Sequence, residues 1–379
     1  MDYLRYYLNT ALVLTGIAGF ALGGPWVWAG AATFVPLFAA DLLLGNDYQP
    51  RRVHIPWLAD LVLYLHVALM VVLYATFVWR MQVGLSGSGV PAQGWHVAGA
   101  VISLMWLHLL PNGGIGHELA HRRSRLSRWV GLSMGALVGD PCRDIAHNNT
   151  HHLYFDTPRD TDTAHRGENV YGFMLRATLG SFRDTWESEK RRADNSGYSV
   201  WSPRSRVTQG LAFLVGFPLG IGLLSGPLAA GIVIGALVLA KLILEALNYL
   251  QHYGLVRDTQ APVGEHHTWN HLSTVIRIIG TEITNHVDHH RDAYVPYYRL
   301  VPRPAGACMP SIFLCFLMSF VPPLWFRFVK RKLYAWDTTF ASPTERRLAM
   351  AANRRAGWPL WLDDEPATGR ESAATAETA

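Results

Sequence analysis

The sequence predicts an all-α integral membrane protein: about six transmembrane helices with a cytoplasmic helical cap that carries a histidine-rich metal site. Three observations predict it. Half of the 379 residues are hydrophobic and only 16% are charged, against roughly a quarter charged in soluble domains. Several apolar runs reach the ~20 residues that cross a bilayer as a helix. Nine of the 17 histidines gather in four places, each where an apolar run meets a polar one.

The apolar runs fall at roughly 7–23, 25–45, 57–79, 94–115, 207–225 and 228–250. The first follows Met-Asp-Tyr-Leu-Arg without a small-residue cleavage pattern, so it reads as a retained span and not a signal peptide. Gly23–Gly24–Pro25 and Ser225–Gly226–Pro227 suit the tight turns of helical hairpins. A seventh stretch, 309–328, is broken by Pro322–Pro323 and reads as interfacial or re-entrant. The chain then divides into 1–115 with four spans, 116–206 with the first two histidine clusters, 207–250 with two spans, and 251–365 with His252 and the last cluster. The small, polar segment 366–379 reads as a disordered tail.

Orientation follows from the basic residues. With both termini inside, every Lys and Arg except Arg80 and Lys241 lies in an inner segment, which is the positive-inside bias. The short loop with Arg51 and Arg52 weighs most. This puts all histidine clusters on the cytoplasmic side of a bacterial-type inner membrane. The net charge of +5 then reads as a membrane-facing basic surface, with no nucleic acid as partner. Lys241 and Glu245, one helical turn apart inside the sixth run, read as a mutually neutralising pair. Cys142, Cys308 and Cys315 have no CxxC spacing and read as packing residues.

The clusters are His117 and His121 in HELAH, His147, His151 and His152 in HNNTHH, His252 in NYLQHYG, and His286, His289 and His290 in HVDHH. Residues three or four apart share a helix face. His117 and His121 are so placed, His147 and His151 repeat the spacing, and His286 can pair with both His289 and His290. His252, just past the sixth span, can complete the set. Imidazole is the commonest protein ligand for first-row transition metals, and nine are too many for one ion. The economical reading is a two-metal centre. Lone histidines are usually structural, which is the reading for His54, His66, His96, His108 and His165. His266, His267 and His271 read first as structural too, with ligation as the alternative because His267 and His271 are four apart.

HELAH also fits HExxH, the zinc protease signature with Glu118 as general base. A zinc protease needs one more ligand and leaves the other histidines without a purpose. A metal transporter would spread ionisable groups through the depth of its spans, and these cluster at one face. Two redox-active irons account for the histidines better. Glu118, Asp144, Asp258, Glu282 and Asp288 lie close in sequence to the clusters and are candidates to orient them, or to pair with Arg122, Arg143 and Arg257.

HELAH, HNNTHH and HVDHH resemble the three histidine boxes of the membrane fatty acid desaturase and hydroxylase superfamily. NYLQHYGL is similar to a fourth motif of its alkane 1-monooxygenase branch. GDPCRDIAHNNTHHLYFDTPRDTDT, NYLQHYGLVRD, EITNHVDHH and MAANRRAGWPLW look like the aryl-methyl branch, the xylene monooxygenase and p-cymene hydroxylase type. The resemblance runs to about residue 363. It implies a non-haem di-iron membrane monooxygenase with the nine clustered histidines as ligands and O₂ as co-substrate. The alkane branch has Glu where this chain has Ala146 and Gln251, which disfavours a linear alkane; an alkane hydroxylase or a fatty acyl desaturase or hydroxylase with the same ligands is the alternative. The implied reaction is hydroxylation of the methyl group of an alkyl-arene to the benzylic alcohol. No GxGxxG follows a strand and cysteines are few, so no flavin, NAD or iron–sulfur cluster is expected on this chain. The resemblance implies a separate NADH-dependent flavin and [2Fe–2S] reductase, which Arg122, Arg123, Arg125 and Arg128 could dock. The same arginines could face anionic lipid. Trp57, Tyr64, Tyr74, Trp79 and Trp106 are candidates to line a substrate route, although spans usually hold aromatics for packing or interface contacts.

Overall fold

The computed structural model describes residues 2–362; the expected disordered tail lies outside them. Five helical stretches are long and apolar enough to cross a bilayer: Gly24–Leu44, Pro56–Val83, Gly94–Ala120, Arg206–Ser225 and Pro227–His252. The expected first span is the helix α1 (Leu8–Leu22). Its 15 residues rise only about 22 Å, short of a ~30 Å hydrocarbon core. It packs chiefly against α3 (Pro56–Val83).

The second stretch is not one helix. A 3₁₀ turn and a short helix precede α2 (Phe34–Leu44). Pro36 stands in the first turn of α2, where its missing N–H has no intrahelical partner to lose. The fourth expected span also breaks. α4 (Gly94–Leu109) stops at Leu110–Pro111, and α5 (Asn112–Ala120) starts afresh. Asn112 bridges the break, its Nδ2 donating to the carbonyls of His108 and Met134. That break re-aims the face bearing His117.

α5 forms a hairpin with α6 (Arg125–Ala136), an amphipathic helix capped by Ser124. α7 (Val170–Asn195) is long; its outer face is apolar in the first half, with Tyr171, Leu175, Leu179 and Phe182 exposed, and charged in the second. α8 (Arg206–Ser225) and α9 (Pro227–His252) form the last membrane hairpin, turned at Gly226 with φ 91°. α9 runs on to include His252, which sits in its last turn and not beyond it. α10 (His286–Arg291) carries the final cluster. The expected interrupted stretch 309–328 resolves into a helix Ile312–Ser319 and a second, α11 (Pro322–Thr339), started by Pro322–Pro323. The only β structure among the described residues is a two-residue parallel pair, Asn270–His271 with Cys308–Met309, and one isolated bridge.

Charge inside the bundle is concentrated next to the histidines. Lys241 Nζ donates to Asp140 at 2.6 Å and to Glu245. Arg143 reaches Asp162 at 2.9 Å and Glu245 at 3.3 Å. The expected pair of Lys241 and Glu245 is therefore part of a larger buried network that includes Asp140, Arg143 and Asp162. A lone ion there would be costly, but each charge has an opposite partner.

Candidate metal centre

The structure brings the nine clustered histidines together, in two groups that cut across the sequence clusters. His117, His121, His147 and His289 offer nitrogens within 4.8 Å of one another, and so do His151, His252, His286 and His290. His152 lies between the groups. Its Nε2 is 3.0 Å from His147 Nε2, and its ring centroid is 4.6 Å from that of His290.

Local backbone explains this sorting. Residues 147–151 form a π-helical turn, in which the His152 N–H bonds to the His147 carbonyl. The wider turn brings residues five apart onto one face. So His147 meets His152 through Nε2 atoms 3.0 Å apart, while its ring also stacks on His151 at 5.1 Å, the partner that i+4 spacing predicts. His151 is turned to the other group, with its ring 4.7 Å from His252. α10 sorts its residues likewise. His286 and His290 face each other at 3.1 Å between Nε2 atoms. His289 instead meets His117, Nε2 to Nε2 at 3.0 Å.

The carboxylates that hold these rings are not the expected ones. Asp160 accepts from His151 Nδ1 at 2.9 Å, and Asp156 from His252 Nδ1 at 3.0 Å. Both come from the loop that follows the second cluster. Asp156 sits there at φ 60°, a left-handed conformation costing about 1–2 kcal/mol for a residue with a Cβ. Thr163 braces both: its hydroxyl donates to Asp160 and accepts the Asp156 N–H. Both belong to the segment DTPRDTDT, which starts four residues after His152.

The five candidates from sequence proximity reach other partners. Glu118 pairs with Arg122, which also holds Asp60. Asp144 pairs with Arg206, and Asp288 with Arg303. Asp258 closes its own turn, accepting from the Gln260 N–H. Glu282 accepts from Arg51, Arg277, Tyr6 and Asn285, all at 2.6–2.7 Å. Asn285 is the residue before α10, so Glu282 fixes the start of that helix without touching a ring. Adjacency in sequence puts a helical carboxylate on a different face from its neighbour, where an arginine finds it.

The lone histidines have ordinary partners. His66 meets Asn112, His96 meets Ser86, and His108 meets Tyr74. His271 Nδ1 faces the Pro310 carbonyl. His267 accepts the Gly264 N–H at Nδ1, so its Nε2 proton donates to Glu345 at 2.7 Å. Of the trio His266, His267 and Glu345, His267 and Glu345 are hydrogen-bonded to each other, while His266 Nε2 stands 3.8 Å from Glu345 without a hydrogen-bond partner.

The donor set fits cations. A carboxylate offers only acceptors, so the His252 proton lies on Nδ1, toward Asp156. His286 Nδ1 likewise faces the Ile283 carbonyl at 3.2 Å. With each ring neutral, both Nε2 atoms are bare, and they stand 3.0 Å apart. Two facing lone pairs repel unless a cation sits between them. Nitrogens each about 2.1 Å from one ion and at right angles to each other would be spaced about 3.0 Å apart. Burial, with neighbouring imidazoles, holds His147, His152, His286, His289 and His290 well below the ordinary histidine range, and takes His121 down to about 4. That is the neutral form a ligand needs. Burial also opposes charge on His151, but the Asp160 carboxylate outweighs it and raises that ring; the hydrogen bond to Asp160 places a proton at Nδ1.

Beside the histidines lies a mostly apolar cavity of about 120 Å³, walled by Leu109, Leu110, Leu244, Leu247, Ile276, Ile283 and Ile312 and reaching His117, His121, His147, His151 and His286. None of Trp57, Tyr64, Tyr74, Trp79 and Trp106 lines it. Tyr74 is bonded to His108 and Trp106 to Thr33, while Trp57, Tyr64 and Trp79 are exposed on the outside of the bundle. Glu118 does not line it either. A wider, open cavity of about 720 Å³ shares Ala120, His121, Leu132, Pro141, Asp144 and Asn148 with it and opens beside Trp129 and Phe213.

Comparison with known proteins agrees with this geometry. Residues 93–303 match the model of the fatty acid desaturase family. The chain is 45% identical to the xylene/toluene monooxygenase hydroxylase component of Pseudomonas putida, over 96% of this chain and 98% of that one. It is 32% identical to an alkane 1-monooxygenase of Pseudomonas putida over 56% of this chain and 54% of that one. An alkane 1-monooxygenase of Ectopseudomonas oleovorans is 29% identical over 80% and 75%. With its family model matched across the centre of the chain and relatives of one chemistry along nearly all of it, the chain belongs to the fatty acid desaturase family, as a multi-pass membrane oxidoreductase of the monooxygenase kind.

Proposed function

We propose that this chain is the di-iron hydroxylase component of a monooxygenase that converts the methyl group of an alkyl-aromatic hydrocarbon to the benzylic alcohol. The observation that carries the reading is the pair of four-imidazole groups with bare nitrogens about 3.0 Å apart, opening onto an apolar cavity of about 120 Å³. The ligands would be His117, His121, His147 and His289 at one iron and His151, His252, His286 and His290 at the other, with His152 between. When bound, the irons supply the O₂-activating redox chemistry that C–H hydroxylation requires.

The chain's own residues do the rest. Asp156 and Asp160 hold the Nδ1 protons of His252 and His151 and so aim the Nε2 lone pairs inward. The leucines and isoleucines of the cavity exclude water and hold an apolar ring against the histidines. An engineered apolar cavity of roughly 150 Å³ takes up benzene, so the cavity suits a single ring better than a long alkyl chain. Gln251, one of the two departures from the alkane pattern, lines it. The substrate would enter from the bilayer through the wider opening between α6 and α8, past Trp129 and Phe213.

The membrane would be the inner membrane, with the histidines facing the cytoplasm, because the basic residues flank that side. Electrons would come from a separate NADH-dependent flavin and [2Fe–2S] reductase. Arg123, Arg125 and Arg128 are exposed, the last two at the wider opening, and suited to an acidic donor, whereas Arg122 is engaged with Glu118 and Asp60.

The test is metal content and Mössbauer spectroscopy on iron-57-labelled protein from membranes, followed by turnover of toluene with reductase, NADH and ¹⁸O₂. About two irons per chain and labelled benzyl alcohol are expected. One zinc and no iron in active protein would overturn the reading.

A further inference from the structure

Six glycines line the inner cavity: Gly113, Gly114, Gly116, Gly131, Gly135 and Gly280. Packing accounts for four of them. A Cβ on Gly114 would stand 2.6 Å from the Gly280 carbonyl oxygen, one on Gly131 2.4 Å from the Ala120 nitrogen, and one on Gly280 2.8 Å from the Ile276 oxygen. On Gly116 it would press on the Met134 Cβ at 3.0 Å. Gly113 and Gly135 differ. Their nearest neighbours would be the His108 oxygen at 3.8 Å and the Asp140 oxygen at 3.6 Å, both ordinary contacts. Neither has a positive φ, and both lie in helices, where alanine is the better residue. The fold gives no reason for glycine at either place.

The cavity does. Gly113, His117 and Ala120 share one face of α5 by i, i+4, i+7 spacing, and all three line the cavity. Gly113 is therefore about 6 Å along the helix from His117, roughly the length of a benzene ring with one substituent. Gly135 faces the same space from α6, one turn after Gly131. We infer that Gly113 and Gly135 determine substrate size: their missing side chains leave room for the arene ring and for its substituent opposite the reacting methyl group. This rests on the hydroxylase reading above.

The experiment compares toluene with p-cymene, which adds a para isopropyl group, on the full-length protein. Gly113→Ala and Gly135→Ala are each purified, and iron per chain is checked against the parent. Turnover in direct competition gives one ratio of the two arenes. Their dissociation constants, measured by thermal shift without reductant, give a second. The expected result is a loss of about tenfold in preference for p-cymene in both ratios, at unchanged iron content. Gly216→Ala in α8, whose Cβ meets nothing within 4 Å and which is outside the cavity, should leave the ratios as they are. Parent-like ratios in both folded cavity variants would overturn the proposal. If the parent oxidises neither arene, the hydroxylase reading fails, and the binding ratio alone then decides on the glycines.

Discussion

At the scale of single residues, the two candidate centres are unequally supported. Both carboxylates that orient rings, Asp156 and Asp160, serve the group of His151, His252, His286 and His290. Among the described residues no carboxylate hydrogen-bonds a ring of the other group. Outer partners of this kind are usually worth ten- to a hundredfold in metal affinity. Asp160→Asn and Asp156→Asn should therefore each empty one centre first, taking iron from about two per chain toward one under mild chelation. A parallel loss of both irons would contradict the asymmetry. Glu118→Gln should leave iron content near the parent value, since that carboxylate faces Arg122, whereas a protease site would lose all activity. The nine histidines were legible because no packing need gathers titratable rings at one surface. The carboxylates were not, because sequence proximity says nothing about the face a side chain takes. Asp156 and Asp160 sit in an irregular loop whose left-handed turn at Asp156 leaves no periodic trace.

At the scale of elements, what matters is how short helices are aimed. The apolar runs and their turns were readable from length and Gly–Pro punctuation. A proline inside a helical run usually marks an end, but the continuous hydropathy of 94–115 hides the break at Pro111. The π turn was beyond reach, since one extra residue per turn depends on what the ring nitrogens meet across the bundle. α10 shows how a short helix is aimed. Six residues cannot hold themselves helical, so its direction comes from Asn285 and the fully buried Glu282. Glu282 sits at φ 59°, next to Thr281 at φ 53°, and is locked by Arg51 and Arg277. Glu282→Gln leaves two buried guanidiniums short of countercharge, and breaking such a pair costs about 3–5 kcal/mol. The expected outcome is a clear drop in unfolding temperature in detergent, together with loss of iron from both centres, because α10 feeds His289 to one and His286 and His290 to the other. Lower stability with full iron loading would separate Glu282 from the aim of α10.

At the scale of the whole molecule, the histidines lie where apolar helices end, His117 near the close of Gly94–Ala120 and His252 at the close of Pro227–His252, so on the proposed reading an apolar substrate and an electron donor would both have to reach that level. The wider cavity is lined by both kinds of side chain: Trp129, Phe213 and Leu132 with Arg125, Arg128 and Arg206. Arg206 is neutralised by Asp144. Arg125 and Arg128 are exposed, and a few exposed like charges raise the rate of encounter with an acidic partner while adding little to tight binding. Anionic headgroups would attract the same pair, and the two roles differ in what they make salt-sensitive. If the arginines dock the donor, Arg125→Glu with Arg128→Glu should raise the KM for the reductase about tenfold or more at low ionic strength. Added salt should shrink that difference, because exposed charges are screened beyond roughly 10 Å at 0.1 M. Turnover driven by a small uncharged reductant should stay near the parent value, since neither side chain reaches the inner cavity. If the arginines instead hold the helix to lipid, both donors should be affected alike, and the defect should follow the anionic lipid content of the vesicles. The measurement is a salt series of steady-state rates with each donor in vesicles of fixed composition. A KM for the reductase that does not move with charge reversal would remove α6 from the docking surface.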